Sequence, residues 1–223
     1  MTRTKLANRI LPDYTKGEEI FNTVTHIVGG ALGIVVLTLC VIRSAISANA
    51  WGVVASAVYG ASMIILYTSS SVYHGLKSGM AKKVMQVIDH CTIYFLISGT
   101  YTPIVLCAMR PVSPGWGWSL FGFVWGLAIL ACTLTAIDLK KYSAFSMVCY
   151  ICMGWCVIAA GKVTLQAIPM DGFILLLSGG IVYSIGAVLY GLGKKTRYMH
   201  SVFHIFVVLG SFLQFLCVYN YIL

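Results

Sequence analysis

Charge is what this sequence has least of. Only 9% of its residues are charged, and six in all are Asp or Glu, whereas a soluble domain carries about a quarter charged residues. With 59% hydrophobic residues, the composition is that of a polytopic membrane protein. A secretory signal is also lacking: Met1 to Gly17 holds no apolar core, and the first hydrophobic run is too long to be one. No disulfide framework is expected. The eight cysteines (Cys40, Cys91, Cys107, Cys132, Cys149, Cys152, Cys156 and Cys217) fall in or at the ends of apolar runs, where reduced thiols act as small hydrophobes. There is no internal repeat and no linker long enough to divide the chain. Residues 20–223 therefore read as one domain behind a short N-terminal segment, 1–19.

What the chain does have is apolar runs of spanning length. A membrane helix needs about 20 mostly apolar residues, and seven windows qualify: roughly 20–42, 51–73, 84–107, 116–137, 142–162, 171–192 and 199–221. The expected fold is an all-α, seven-transmembrane helix bundle. Lysine and arginine orient it. Arg3, Lys5, Arg9, Lys16, Lys77, Lys82, Lys83, Lys140, Lys141, Lys194, Lys195 and Arg197 fall on one side, and only Arg43, Arg110 and Lys162 on the other. A split of 12 to 3 that alternates at every turn places the N-terminus in the cytoplasm and the C-terminus outside. The net charge of +9 is thus mainly a topology signal and not a nucleic-acid footprint. It also suits anionic lipid heads at the inner surface.

Trp51, Trp116, Trp118, Tyr219 and Tyr221 belong at outer ends and Phe21, Tyr73, Tyr142 and Tyr198 at inner ends, as interfacial aromatics do. Gly29 with Gly33, and Gly122 with Gly126, offer small-residue faces for close packing. Pro103 should kink the third span unless neighbours satisfy the freed carbonyl.

Polar side chains inside spans are costly and need a purpose. His200 and His204 open the seventh span four residues apart, so both imidazoles share one helix face. His74 closes the second span, with Ser70 one turn before it, and Asp89 lies about 5 residues into the third. All five groups enter from the cytoplasmic side at one depth. Three neutral imidazoles are a normal zinc set with a fourth position left open. Asp89 is the one carboxylate well inside a span; it would ligate directly or accept a hydrogen bond from a bound water. Ser70 would hold that water or polarise a carbonyl. These are the parts of a metal-assisted hydrolysis of a lipid amide or ester.

Plainer readings compete. On spacing alone, His200 and His204 could simply hydrogen-bond between helices; the matching depth of His74 and Asp89 favours metal. Ser69, Ser70 and Ser71 are consecutive, and serines in membrane helices often bond their own i−4 carbonyl. His90 points about 100° away from Asp89 and stays out of the site. His26 reads as a hydrogen-bonding partner, and Cys149, Cys152 and Cys156 as packing thiols.

Four stretches resemble one family. Glu19-x2-Asn22-x2-Thr25-His26-x2-Gly29, Ser70-x3-His74, Asp89-His90 followed by Ser98-Gly99-Thr100-Tyr101-Thr102-Pro103, and His200-x3-His204 occur in this order across nearly the whole chain. Together they are similar to the hemolysin III family of bacterial membrane proteins, relatives of the progestin and adipoQ receptors and, more distantly, of alkaline ceramidases. The resemblance implies a seven-helix bundle in the bacterial inner membrane, zinc on His74, His200 and His204 with Asp89 and Ser70 nearby, and a role for Glu19 and Asn22 in bracing the first span. It also implies membrane lipid homeostasis. The shortness of the chain points to the bacterial branch.

Three functions follow as alternatives: a zinc-dependent lipid hydrolase, a non-enzymatic zinc-braced sensor, and a cytolytic channel-forming protein. The third needs a polar stripe through the bilayer, and the outer halves of the spans offer few charges. A retinal protein is excluded, because no lysine lies within a span interior. A conventional G-protein-coupled receptor is excluded by the orientation. Membrane lipids are the expected partners.

Overall fold

A computed structural model describes residues 4–192 and 196–223. Every regular element among them is helical. That is what lipid demands, since a helix satisfies its own backbone where no water can. Among the described residues seven helices are long and apolar enough to cross a membrane: α1 (Lys16–Ile46), α2 (Ala50–Gly75), α3 (Met80–Val112), α4 (Pro114–Ile137), α5 (Ser143–Ala167), α6 (Met170–Leu192) and α7 (Met199–Tyr221). Each overlies one of the seven hydrophobic windows. Arg3, Lys194 and Lys195, counted in the charge split, lie outside the described residues, as does the first half of the Gly193–Tyr198 connection.

Local chemistry sets the helix ends. Thr15 caps α1 in a reciprocal box: its hydroxyl accepts from the Glu18 N–H at 3.2 Å, and the Glu18 carboxylate accepts from the Thr15 N–H at 2.8 Å. Asn49 caps α2 by accepting from the Gly52 N–H at 2.9 Å. The expected kink at Pro103 takes a specific form. A proline supplies no N–H to the ladder, and the helix continues past it as a wider π-helical stretch, Ile104–Met109, before a last turn, Arg110–Val112. α5 is similarly interrupted by a 3-10 segment, Cys156–Ala160.

The helices pack in sequence, α1 along α2 and α2 along α3, while α6 pairs with α7 and α7 returns to α1. α3 is the central one: 78% of its spanning stretch is enclosed, against 22% for α6. Tyr59, Met63 and Tyr67 of α2 and Tyr94, Ile104 and Met109 of α3 fill the interior. Ile27, Val28, Ile34 and Val35 of α1 face outward, as suits a lipid boundary. Gly29 and Gly33 do allow close approach: a Cβ on Gly29 would lie 2.5 Å from the Tyr67 ring, and one on Gly33 3.1 Å from the Ile64 backbone nitrogen. Gly122 and Gly126 do not, since a Cβ on either meets nothing within 4 Å. That pair is therefore no packing face among the described residues.

The two ends of the bundle differ. At one, Arg110 stacks over Trp51 and Arg43 over Tyr219, with Trp51 edge-on to Trp118. At the other, Lys83 donates to the Ala7 carbonyl and Arg197 to the Asp13 carbonyl, which ties the N-terminal segment to the bundle. The second end carries His74 and His200.

Candidate metal centre

The last turn of α2 and the first two turns of α7 bring three histidines together. His200 Nε2 lies 3.3 Å from His74 Nε2 and 3.1 Å from His204 Nε2. All three nitrogens fall within 4.8 Å of one another. His74 and His204 are almost completely buried. Tetrahedral coordination at about 2.0–2.1 Å would set donor atoms roughly 3.3 Å apart, so the spacing fits one zinc-sized ion.

The outer ring nitrogens explain why these edges face inward. His74 Nδ1 lies 2.6 Å from Glu19 Oε2, and His204 Nδ1 lies 3.3 Å from the Asn22 carbonyl oxygen. A carboxylate and a carbonyl can only accept, so in rings that ligate through Nε2, which must be neutral, each Nδ1 carries the proton. Both Nε2 atoms then present lone pairs to His200 Nε2, which holds at most one proton to share. One lone pair is left facing nitrogen without a donor. A cation between the three rings removes that conflict, and a carboxylate on the far side of a ligating histidine is the usual support for one.

That support is itself anchored. Lys82 Nζ donates to Glu19 Oε1 at 2.6 Å and to the His74 and Leu76 carbonyls at 3.3 and 2.9 Å. α1, α2 and the start of α3 are thus joined through one partly buried ion pair behind His74. Tyr14, just before α1, stacks on His200 with ring centroids 5.1 Å apart and planes 15° from parallel. Burial pushes its phenol well above the usual range, with the carboxylates of Glu19 and Asp89 and the phenols of Tyr190 and Tyr73 acting in the same direction. Tyr14 therefore stays a neutral hydroxyl.

The other residues singled out from sequence fall as follows. Asp89 is buried but is not one of the three clustered residues; its Oδ2 lies 3.9 Å from His90 Nδ1. Ser69 and Ser71 donate to the Leu66 and Tyr67 carbonyls. Ser70 does not; its buried hydroxyl lies beside the Asp89 carboxylate instead. His90 donates to the Gln86 carbonyl at 2.8 Å, away from the trio. His26 is not the hydrogen-bonding partner expected. Both its ring nitrogens are buried without one, and it instead stacks on His204 at 3.6 Å between centroids, 8° from parallel. Of the cysteine trio, Cys149 is buried and Cys152 exposed, so the three do not face one environment.

Lys82 and Tyr14 were missed. Lys82 was counted among the surface charges, yet only 4% of it is exposed. A lysine within two residues of a span start was the available signal. Tyr14 carried none.

Comparison with known proteins gives the family. The family model described as "Haemolysin-III related" matches residues 14–215, a range that includes Tyr14, Glu19, Lys82 and all three clustered histidines. The chain is 39% identical over 207 residues to "Hemolysin-3" of Bacillus cereus, covering 92% of each protein. It is 37% identical over 208 residues to the "Hemolysin-3 homolog" of Bacillus subtilis (strain 168), covering 93% of this chain and 96% of that one. A more distant likeness, 23% over 185 residues, links it to the human "Monocyte to macrophage differentiation factor", covering 79% of this chain and 74% of the relative.

Proposed function

This chain belongs to the haemolysin-III related family, and from that premise we propose a zinc protein of the bacterial cytoplasmic membrane that serves membrane lipid homeostasis. The N-terminal segment, 1–19, lies in the cytoplasm; residues 20–223 act as one seven-helix domain with the C-terminus outside. The observation that carries the reading is the convergence of three Nε2 atoms, two of them fixed as lone-pair donors by Glu19 and Asn22.

His74, His200 and His204 would hold the zinc. When bound, zinc supplies Lewis acidity and brings the pKa of water to about 7. The chain's own residues would do the rest of a lipid amide or ester hydrolysis. Asp89 takes the proton of the attacking water and returns it to the leaving group. Ser70, whose buried hydroxyl lies beside Asp89, donates to the substrate carbonyl oxygen as negative charge develops there. Glu19 keeps His74 in the ligating tautomer.

A second reading rests on the origin of the ligands. His74 belongs to α2 while His200 and His204 belong to α7, so an ion here staples two helices whether or not it turns anything over. In that case the protein is a zinc-braced sensor.

Elemental analysis separates these from failure. The wild type is expected to hold about one zinc per chain, as a single three-histidine site would, and His204→Ala to lose it; a metal-free wild type overturns both readings. Asp89→Ala is expected to keep zinc and lose hydrolysis in a screen of lipid amides and esters. Zinc-bound wild type that cleaves none of them, yet melts lower after chelation, selects the brace.

A further inference from the structure

A mostly buried cation lies away from the histidines. Arg9 follows the short N-terminal turn Leu6–Asn8, which packs on α3. Only 8% of it is exposed, and its Nε and Nη1 have no hydrogen-bond partner among the described residues. Among the described residues no carboxylate forms an ion pair with it. Burial works against its charge, with Asp138 pulling the other way. Yet Asp138 is committed elsewhere: Oδ2 accepts from the Thr4 N–H at 2.8 Å and Oδ1 from the Lys141 N–H at 3.1 Å. A guanidinium does not escape by losing its proton, so an unpaired buried one is costly.

Arg9 lines a groove of about 210 Å³ whose walls include Leu6, Val84, Val87, Ile88 and Ile137. One water needs only about 10–15 Å³, so the groove takes something much larger. Val84, Ile88 and Ile137 are 39%, 39% and 44% exposed, so the apolar wall continues onto the outer face of the bundle. Lys5, Lys140 and Lys141 are exposed in the neighbouring segments. One cation at the end of an apolar trough, within a basic rim, matches an anionic head joined to a hydrocarbon tail.

We propose that this groove is a binding site for an anionic phospholipid, with the headgroup phosphate offsetting Arg9 and the start of an acyl chain lying along Val84, Ile88 and Ile137. It shares no lining residue with the histidine trio and stands or falls independently of zinc.

The test uses the full chain, delipidated in a neutral detergent. Phosphatidylglycerol, phosphatidylcholine or inorganic phosphate is added, and bound lipid and the thermal midpoint are followed. Wild type is expected to bind phosphatidylglycerol about tenfold or more tightly than Arg9→Gln, as loss of a charge-assisted contact implies, and to prefer it to phosphatidylcholine. Ile88→Trp, which fills the trough and leaves Arg9 in place, should weaken binding too. Without lipid, Arg9→Gln should melt no lower than wild type, because the charge it removes forms no ion pair among the described residues. Equal phosphatidylglycerol binding by wild type and Arg9→Gln overturns the site. So does a large fall in the Arg9→Gln midpoint without lipid, which would reveal an internal partner. Stabilisation by inorganic phosphate as strong as by the lipid overturns the lipid assignment.

Discussion

Glu19 illustrates how much a single side chain can settle. One carboxylate oxygen meets His74 Nδ1 and the other Lys82 Nζ, each at 2.6 Å. Glu19→Gln keeps the volume but can offer only one oxygen, and it leaves Lys82 without its anion. Zinc affinity is expected to fall about 10–100-fold, the usual cost of losing such a support, as read by competition with a chromogenic chelator; unchanged affinity would mean that His74 needs no orienting partner. Asp138 provides a separate prediction outside the spans. Hydrogen bonds from the Thr4 and Lys141 N–H groups hold its carboxyl below the usual range. A depressed folded pKa contributes stability above the unfolded value, near 3.9, that is lost as pH falls through the folded value. Asp138→Asn should therefore melt below wild type at pH 7, and the gap should narrow progressively as pH falls below about 4; a gap that does not narrow in acid contradicts this origin. Residue by residue, the sequence was partly readable. The three histidines announced themselves because imidazoles within apolar runs are rare. Lys82 did not, since a lysine near a span end looks the same whether it faces water or a carboxylate 63 residues away. His26 was visible as an intramembrane histidine, but whether such a ring stacks or hydrogen-bonds depends on which helix arrives beside it.

Among the helices, length and hydropathy were enough to find all seven, because each apolar run exceeds what a soluble core helix would use. How they touch was less legible. Two Gly-x3-Gly pairs look alike in sequence, yet only the one on α1 meets a neighbour, because the face a glycine presents is set by rotations that the local pattern does not encode. Pro103 likewise marked a disturbance without showing that the helix would widen through Ile104–Met109 and run on. The contrast between glycines can be tested across the α1–α2 contact. A Cβ on Gly60 would sit 2.5 Å from the Leu37 Cα, and backbone cannot swing aside as a side chain can. Gly60→Ala should destabilise by about 1–3 kcal/mol, the usual cost of overpacking. Gly126→Ala, with open space around its Cβ, should be neutral or up to about 1 kcal/mol stabilising through helix propensity. Thermal melts of both variants in one detergent make the comparison, and equal effects would show that α1 and α2 are not held at the separation described here.

For the molecule as a whole, the open physical question is which way the bundle faces. The charge split treats every lysine and arginine as a surface cation held back from translocation. The structure takes two of the twelve out of that role: Arg9 and Lys82 are both buried, one in a groove and one in an ion pair. Ten basic residues still oppose three. The two folded ends differ in kind. Arg43 and Arg110 lie against aromatic rings at one end, while Lys83 and Arg197 bind the N-terminal segment at the other. The placement of the trio follows from the same bias, because His74 and His200 sit at the end rich in basic residues. A reporter fused after Leu223 tests both together. Alkaline phosphatase there should be active and green fluorescent protein dark, while the same reporters joined after Ile137 should give the reverse. If the two patterns are exchanged, the basic end faces outward, the histidines face the exterior leaflet, and any lipid chemistry at the trio would have to draw its substrate from that side.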